Sequence, residues 1–213
     1  MTDIANLRRD YKAATLDITD VSANPIAQFR QWFEEAVRAE ITEPNAMTLA
    51  TMGLYPSART VLLKDITTEG SFTFFTNYES HKANEIADVP RVALLFCWLD
   101  LERQIRITGD ATRVAPEVST AYFQSRPKSS QIGAWVSPQS KTIASRAFLE
   151  QRVADIEAEY RDQAVLPRPE HWGGYRVQPL KIEFWQGRRS RLHDRILYTL
   201  QPDATWCVER LAP

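Results

Sequence analysis

The chain has 213 residues, 44% of them hydrophobic and 25% charged, with 26 Lys and Arg against 27 Asp and Glu for a formal net charge of −1. That length can bury one good core, and the near-neutral balance gives no global field to draw the protein to nucleic acid or an anionic membrane, so anion binding must come from local clusters of cations. No apolar run approaches the roughly 20 residues of a membrane span, and Met1–Arg9 has no apolar signal core. With only Cys97 and Cys207, a disulfide scaffold is not expected. The reading is a reduced, cytoplasmic protein with Cys97 a small buried hydrophobe in the run Val92–Trp98.

Residues 1–24 are polar without sustained periodicity and read as a mobile N-terminal arm, leaving 25–213 as a single domain. Asn24-Pro25 opens a helix running to about Glu40, with Ile26, Phe29, Phe33, Ala36 and Val37 as its apolar stripe. Ala46–Thr51, Ser57–Lys64 and Ser71–Thr76 are short, rich in β-branched and aromatic residues and separated by turn chemistry, which predicts three strands. Ser80 caps a short helix that ends before Pro90. Val92–Trp98 and Arg103–Val114 follow as a long hairpin across Leu99-Asp100-Leu101. Pro116 starts a helix that Pro127 stops, a polar loop holds Lys128–Ser130 and continues through Gln131–Ser140, and a helix covers about Thr142–Tyr160. Beyond Pro167 and Pro169 come three last strands, near Tyr175–Trp185, Arg195–Leu200 and Thr205–Arg210. The pattern is mainly β with flanking helices and suggests an antiparallel, Greek-key-like barrel. Neither G-x-G-x-x-G nor a P-loop occurs, so a nucleotide site of those kinds is not expected.

Several constellations point to an anionic aromatic ligand. Glu183-Phe-Trp-Gln-Gly187 runs into Arg191-Leu-His-Asp-Arg195, where Arg191, His193 and Arg195 share one face if the run is extended. Arg59 and Lys64 bracket an apolar strand about 17 Å long, too far apart to clasp one phosphate but able to serve two. Lys82 follows Ser80 and His81 at a helix start, where free N–H groups and a cation favour an anion. Tyr122, Arg126 and Ser130 recur at intervals of four across a helix end and loop, and Gln139 and Ser140 can donate from the next loop. For each the plain alternative is structural: strand-end charges, a helix cap with a solvated lysine, an arginine complementing a dipole, loop residues satisfying their own backbone. His81, His171 and His193 are far apart in sequence, and no H-x-x-x-H or C-x-x-C implies a metal.

Taken together, these segments resemble the pyridoxine/pyridoxamine 5′-phosphate oxidases. The likeness spans Leu7–Tyr11, Arg59–Lys64, Phe74–Asn77, Leu101–Gln104, Tyr122–Pro127, Ser130–Ser137, Gln139-Ser140, Trp172–Gly174, Ile182–Gly187, Arg191–Arg195 and Arg210–Pro213. The resemblance implies an FMN-binding split β-barrel that forms a homodimer with FMN at the subunit interface. It implies FMN contacts from Arg59, the strand Thr60, Val61, Leu62, Leu63 and Lys64, from Phe75, Thr76, His81 and Lys82, and from Gln104, Gln139, Ser140, Trp185 and Arg195. The substrate phosphate would sit among Lys64, Tyr122, Arg126 and Ser130. Arg191, Leu192 and His193 would lie against the pyridine ring, with Arg191 and His193 catalytic, and Arg8, Arg9, Asp10 and Tyr11 would close over it as a lid. The implied reaction oxidises the C4′ carbon of pyridoxine or pyridoxamine 5′-phosphate to give pyridoxal 5′-phosphate, with dioxygen reduced to hydrogen peroxide. Two positions depart from the family pattern: His81 stands where arginine is common, and Phe75 where tyrosine is. Two rival readings are a split-barrel flavin reductase fed by nicotinamide and a non-catalytic FMN or pyridoxal phosphate binder.

Overall fold

The structure, a computed structural model, describes residues 10–213. Nine strands alternate with five helices among the described residues: α1 (Pro25–Arg38), β1 (Ala46–Met52), β2 (Pro56–Leu62), β3 (Asp65–Ile66), β4 (Phe72–Asn77), α2 (His81–Asp88), β5 (Arg91–Trp98), β6 (Arg103–Arg113), α3 (Pro116–Ser125), α4 (Lys128–Val136), α5 (Arg146–Glu159), β7 (Trp172–Gln186), β8 (Asp194–Leu200) and β9 (Trp206–Leu211). The strands hydrogen-bond in the order β2-β1-β5-β6-β7-β4-β3, with β8 joined to β7 and β9 to β8. The expected mainly β class with flanking helices is what the chain forms.

The contacts divide the chain into two compact units. The first holds residues up to Leu49, Ala93–Gly109 and Pro179–Pro213. Its strands β7, β8 and β9 pair antiparallel, Trp185 opposite Arg195 and Arg195 opposite Leu211. Asn24 caps α1 by accepting from the N–H groups of Ile26 and Ala27, with Pro25 in the first turn. The buried face of α1 is Gln28, Phe29, Trp32 and Ala36; the expected Val37 is 51% exposed. Trp32 displaces it because its indole reaches Phe184 edge-on at 5.2 Å while Arg103 covers its face at 4.3 Å. In β5 the burial alternates, so Leu94, Phe96 and Trp98 point inward and Cys97 outward. Cys97 is therefore exposed rather than buried, and both cysteines are free thiols.

The second unit holds Ala50–Val92 and Asp110–Gln178. Strand β4 pairs antiparallel with the first half of β7, Phe75 opposite Gly174 and Thr76 opposite Gly173. Glycine is required there: a Cβ on Gly174 would lie 2.8 Å from both Phe75 and Val114, and one on Gly173 would lie 2.2 Å from the Tyr78 hydroxyl. Three expectations are corrected in this unit. Lys128–Ser130 and the segment after it form α4 rather than a loop, since Ile132, Ala134 and Val136 bury an apolar face. Lys128 adds to this by donating to the carbonyls of Tyr160, Arg161 and Gln163. Helix α5 begins at Arg146, not near Thr142, because Ser145 caps it by accepting from the Phe148 N–H at 3.3 Å. Strand β2 ends at Leu62, so Arg59 and Lys64 do not terminate one strand; the Lys64 N–H instead donates to the Thr73 carbonyl at 2.8 Å.

Candidate active site

In the second unit a cavity of about 530 Å³ is lined by Thr60, Val61, Leu62, Lys64, Phe75, Thr76, Lys82, Tyr122, Arg126, Pro127, Ser130, Gln139 and Trp172. It gathers side chains from β2, β4, α2, α3, α4 and β7, more than a hundred positions apart in sequence. All four residues expected around the substrate phosphate are here, together with Thr60, Val61, Leu62, Phe75, Thr76, Lys82 and Gln139 from the set expected around FMN.

Its cations are poised for anions. Lys82 donates from Nζ to Gln139 Oε1 at 2.6 Å, to Thr76 Oγ1 at 3.2 Å and to Ser80 Oγ at 3.3 Å. These are neutral acceptors, and desolvation, aided by the charge of Arg59, pushes its pKa down to about 8. Ser80, expected to cap α2 through its side chain, instead donates its hydroxyl to the Asn77 carbonyl at 2.7 Å. Arg126 lies with its guanidinium 4.7 Å over the Trp172 ring, and its Nη1 is buried without a hydrogen-bond partner among the described residues. Burial also lowers its pKa. A buried, unpaired guanidinium N–H is costly, and a dianionic oxygen cluster would repay it with charge-assisted bonds. Tyr122 stacks on Phe75 at 4.0 Å, and Phe75 on Trp172 at 5.4 Å, so three near-parallel rings support the wall that carries Arg126.

Other expected residues of this unit sit differently. Arg59 donates to Thr51 and Ser57 hydroxyls, each at 2.5 Å, and pairs with Glu85 at 3.2 Å. His81 is exposed and lies 3.6 Å from the same carboxylate. Leu63 is buried, and Ser140 adopts a left-handed φ of 70°. Sequence reasoning did not single out Trp172 or Glu85 as site residues. The Trp172-Gly-Gly run was the one available signal, because two glycines beside a tryptophan mark a close approach.

In the first unit the run at 191–195 is not a continuous extended segment. Arg189–Arg191 form a 3-10 turn with Ser190 and Arg191 both left-handed, φ 55° and 62°, and β8 starts only at Asp194. The expected alternation of Arg191, His193 and Arg195 on one strand face is therefore lost. His193 packs on Trp185 at 4.6 Å and on Tyr11 at 5.7 Å, and Tyr11 meets Trp185 edge-on at 5.8 Å. Its Nδ1 accepts from the Arg188 backbone N–H at 3.1 Å, which leaves the proton of the neutral ring on Nε2. Burial, then the charge of Arg191, lowers its pKa against a smaller opposing effect of Asp194, which favours the neutral ring. Arg195 donates to Glu183 Oε1 at 2.8 Å and to the Ala212 carbonyl at 2.8 Å, and the bond to buried Glu183 raises its pKa. Gln104 is half-buried on β6, and Arg191 and Leu192 are exposed. Asp10 is exposed too, while Arg8 and Arg9 lie outside the described residues.

Comparison with known proteins decides the family. The model described as pyridoxamine 5′-phosphate oxidase matches residues 33–160, and that for the pyridoxine 5′-phosphate oxidase C-terminal dimerisation region matches 172–213. The chain belongs to the pyridoxine/pyridoxamine 5′-phosphate oxidase family. It is 56% identical to pyridoxine/pyridoxamine 5′-phosphate oxidase 1 of Ralstonia nicotianae over 217 residues, covering 100% of both chains. It is 54% identical to the pyridoxine/pyridoxamine 5′-phosphate oxidase of Trichormus variabilis, covering 99% of this chain and 98% of that one. Among solved structures, PhzG from Burkholderia lata in complex with tetrahydrophenazine-1-carboxylic acid aligns with a TM-score of 0.85 at 26% identity, over 94% of this chain and 100% of that chain. Membership in this family makes the chain an oxidoreductase and gives it the expected split-barrel fold. No helix among the described residues is long and apolar enough to cross a membrane.

Proposed function

We propose that this chain oxidises pyridoxine 5′-phosphate and pyridoxamine 5′-phosphate to pyridoxal 5′-phosphate with FMN and dioxygen, releasing hydrogen peroxide, as a cytoplasmic homodimer with FMN at the subunit interface. The observation that carries the reading is Arg126: a buried guanidinium N–H without a partner among the described residues, in a cavity shared with Lys64, Tyr122 and Ser130. Three phosphate-seeking groups around one orphaned donor suit a substrate with a phosphate tail. The relatives named for phosphorylated B6 vitamers, at 53–56% identity, support the same reading.

The residues also fit FMN. Lys82, backed by Thr76 and Gln139, has its charge held by neutral acceptors in a half-buried place and would take the cofactor's phosphate. Arg59 already has Glu85 as its anion, so Lys82 takes the leading role. The backbone of Thr60–Leu63, Gln104, Trp185 and Arg195 would complete the cofactor site. Bound FMN would supply the two-electron oxidation at C4′ and its reoxidation by dioxygen. The protein's share is positioning and charge. Lys64, Tyr122, Arg126 and Ser130 hold the phosphate tail. Arg191 orients the substrate and assists removal of a proton from its C4′ substituent. His193, neutral with a proton on Nε2, donates a hydrogen bond to the same region.

Lys82 gives the cofactor step a pH signature. Its pKa is depressed to about 8, and an anion beside it restores the charge, so binding above that pH takes up a proton. FMN affinity, measured by fluorescence quenching on reconstitution, is expected to weaken as pH rises from about 8 toward 10, approaching tenfold per unit. Lys82→Met should lose this slope. A slope retained in the variant would assign it to another group.

The function itself is tested by adding each phosphorylated vitamer to the purified protein. Anaerobic bleaching of the flavin spectrum, with aldehyde and peroxide formed in equal amounts in air, is expected. Steady NADH oxidation without a vitamer would support the reductase reading instead, and absence of peroxide at saturating substrate would leave a binder.

A further inference from the structure

The carboxylate of Glu102 ties the chain's N-terminal segment to the aromatic cluster of the first unit. Glu102 stands at the end of the 3-10 turn between β5 and β6, in a left-handed conformation with φ 56°, and is 5% exposed. Its Oε2 accepts from two consecutive backbone N–H groups, Lys12 at 2.7 Å and Ala13 at 2.8 Å. Two charge-assisted bonds to adjacent amides fix both the position and the direction of the backbone they hold. The residue just before them is Tyr11, whose ring lies edge-on to Trp185 and packs on His193.

Gly187 shows how closely these parts are fitted. A Cβ at that position would meet the Tyr11 ring at 2.8 Å and the Glu102 Cβ at 3.0 Å. The Gly187 N–H also donates to the Glu102 carbonyl at 2.7 Å, and Gln186 Nε2 donates to the carbonyls of Leu101 and Glu102, both at 3.2 Å. Side chain and main chain of Glu102 thus grip opposite partners, the arm on one hand and the Trp185–Gly187 segment on the other. A second tether lies further along the arm, where Asp194 accepts from the Leu16 N–H at 3.1 Å and Arg210 pairs with Asp17 at 2.7 Å. That tether fixes residues 16 and 17 but not Tyr11; for Tyr11 the latch is Glu102.

We propose that Glu102 is a positioning residue for the oxidation: by latching the Lys12–Ala13 backbone it sets Tyr11 against His193 and Trp185 and so fixes the orientation in which His193 meets the substrate. The catalytic part of this rests on the function proposed above; the latch itself does not. An apolar or merely packed residue at 102 would leave two amide donors of the arm without their carboxylate, and Tyr11 would lose its fixed approach.

The experiment compares Glu102→Ala, Glu102→Gln and Ala13→Pro in the full-length holoprotein. Ala13→Pro removes one of the two N–H donors without touching Glu102 and lies on the surface, so it reports even if Glu102→Ala folds poorly. Three readouts are taken: the ring resonance of His193 in histidine-labelled protein, the rate of chymotryptic cleavage after Tyr11, and kcat and KM for pyridoxamine 5′-phosphate. Glu102→Ala and Ala13→Pro are expected to move the His193 resonance as the ring currents of Tyr11 are lost, to speed cleavage after Tyr11 about tenfold or more, and to lower kcat about tenfold. FMN content should not change. Glu102→Gln keeps an acceptor oxygen and should lie between these variants and the parent. An unchanged His193 resonance with unchanged cleavage in both disruptive variants would overturn the latch. Changed resonance and cleavage with full kcat would overturn its part in catalysis while keeping the latch. If the parent protein lacks oxidase activity, the first two readouts still decide the latch.

Discussion

Arg126→Ala is expected to raise KM for pyridoxamine 5′-phosphate about ten- to hundredfold while kcat falls less than about threefold, the loss of one or two charge-assisted bonds to a phosphate. Arg126 stays in place over Trp172 although its Nη1 has no partner among the described residues, and desolvation lowers its pKa. Such a donor contributes nothing until an anion arrives, and it then contributes to ground and transition states alike, because the phosphate does not react. Arg126→Lys should recover only part of the affinity, since an ammonium is a point charge without the planar fork. Unphosphorylated pyridoxine should be nearly indifferent to both changes. A large kcat loss with unchanged KM would mean that Arg126 acts on the reacting end instead.

Arg191→Met should do the opposite. FMN content is expected to be retained, and kcat to fall tenfold or more. Methionine is unbranched at Cβ like arginine, so it meets no new obstacle at the left-handed φ of 62°. The variant also carries a pH test. Arg191 is the second cause, after burial, that holds the His193 pKa down. Removing it raises that pKa, so His193 protonates at a higher pH and the acid limb of the residual activity should move upward. Full activity in the variant would exclude Arg191 from the chemistry. Lower kcat with an unmoved acid limb would separate its role from that of His193.

The cavity was readable from the sequence because its residues announce themselves chemically. Lys82 after a helix start, and Tyr122, Arg126 and Ser130 at fourfold spacing, are cations and hydroxyls where a chain would otherwise place solvated or apolar groups. The spacing worked although the local structure was misjudged: Ser130 lies in the first turn of α4, not in a loop. A polar run such as Lys128-Ser-Ser hides a helix whose apolar face begins only at Ile132. The alternation expected at 191–195 failed for a different reason. Periodicity says which face a residue takes only if the backbone is regular, and Ser190 and Arg191 turn left-handed with no glycine to signal it.

The carboxylates were least legible. Glu85 and Glu102 are buried at 6% and 5% exposure, yet each sits in a stretch that reads as ordinary polar surface. What makes them matter is supplied from far away: Thr51, Ser57 and Arg59 for Glu85, and the amides of Lys12 and Ala13 for Glu102, about ninety positions back. Backbone donors carry no sequence signature at all, so only the folded chain reveals that partnership. Cys97 was misplaced through the same blindness to facing, because an apolar run does not show which of its members the pleat turns outward.

The most direct measurement is a crystal structure of the holoprotein with pyridoxal 5′-phosphate bound. The phosphate should enter the cavity beneath Tyr122, with an oxygen about 3 Å from Arg126 Nη1 and others within reach of Lys64 and Ser130. A phosphate seated elsewhere, with Nη1 still unpaired, would contradict the account.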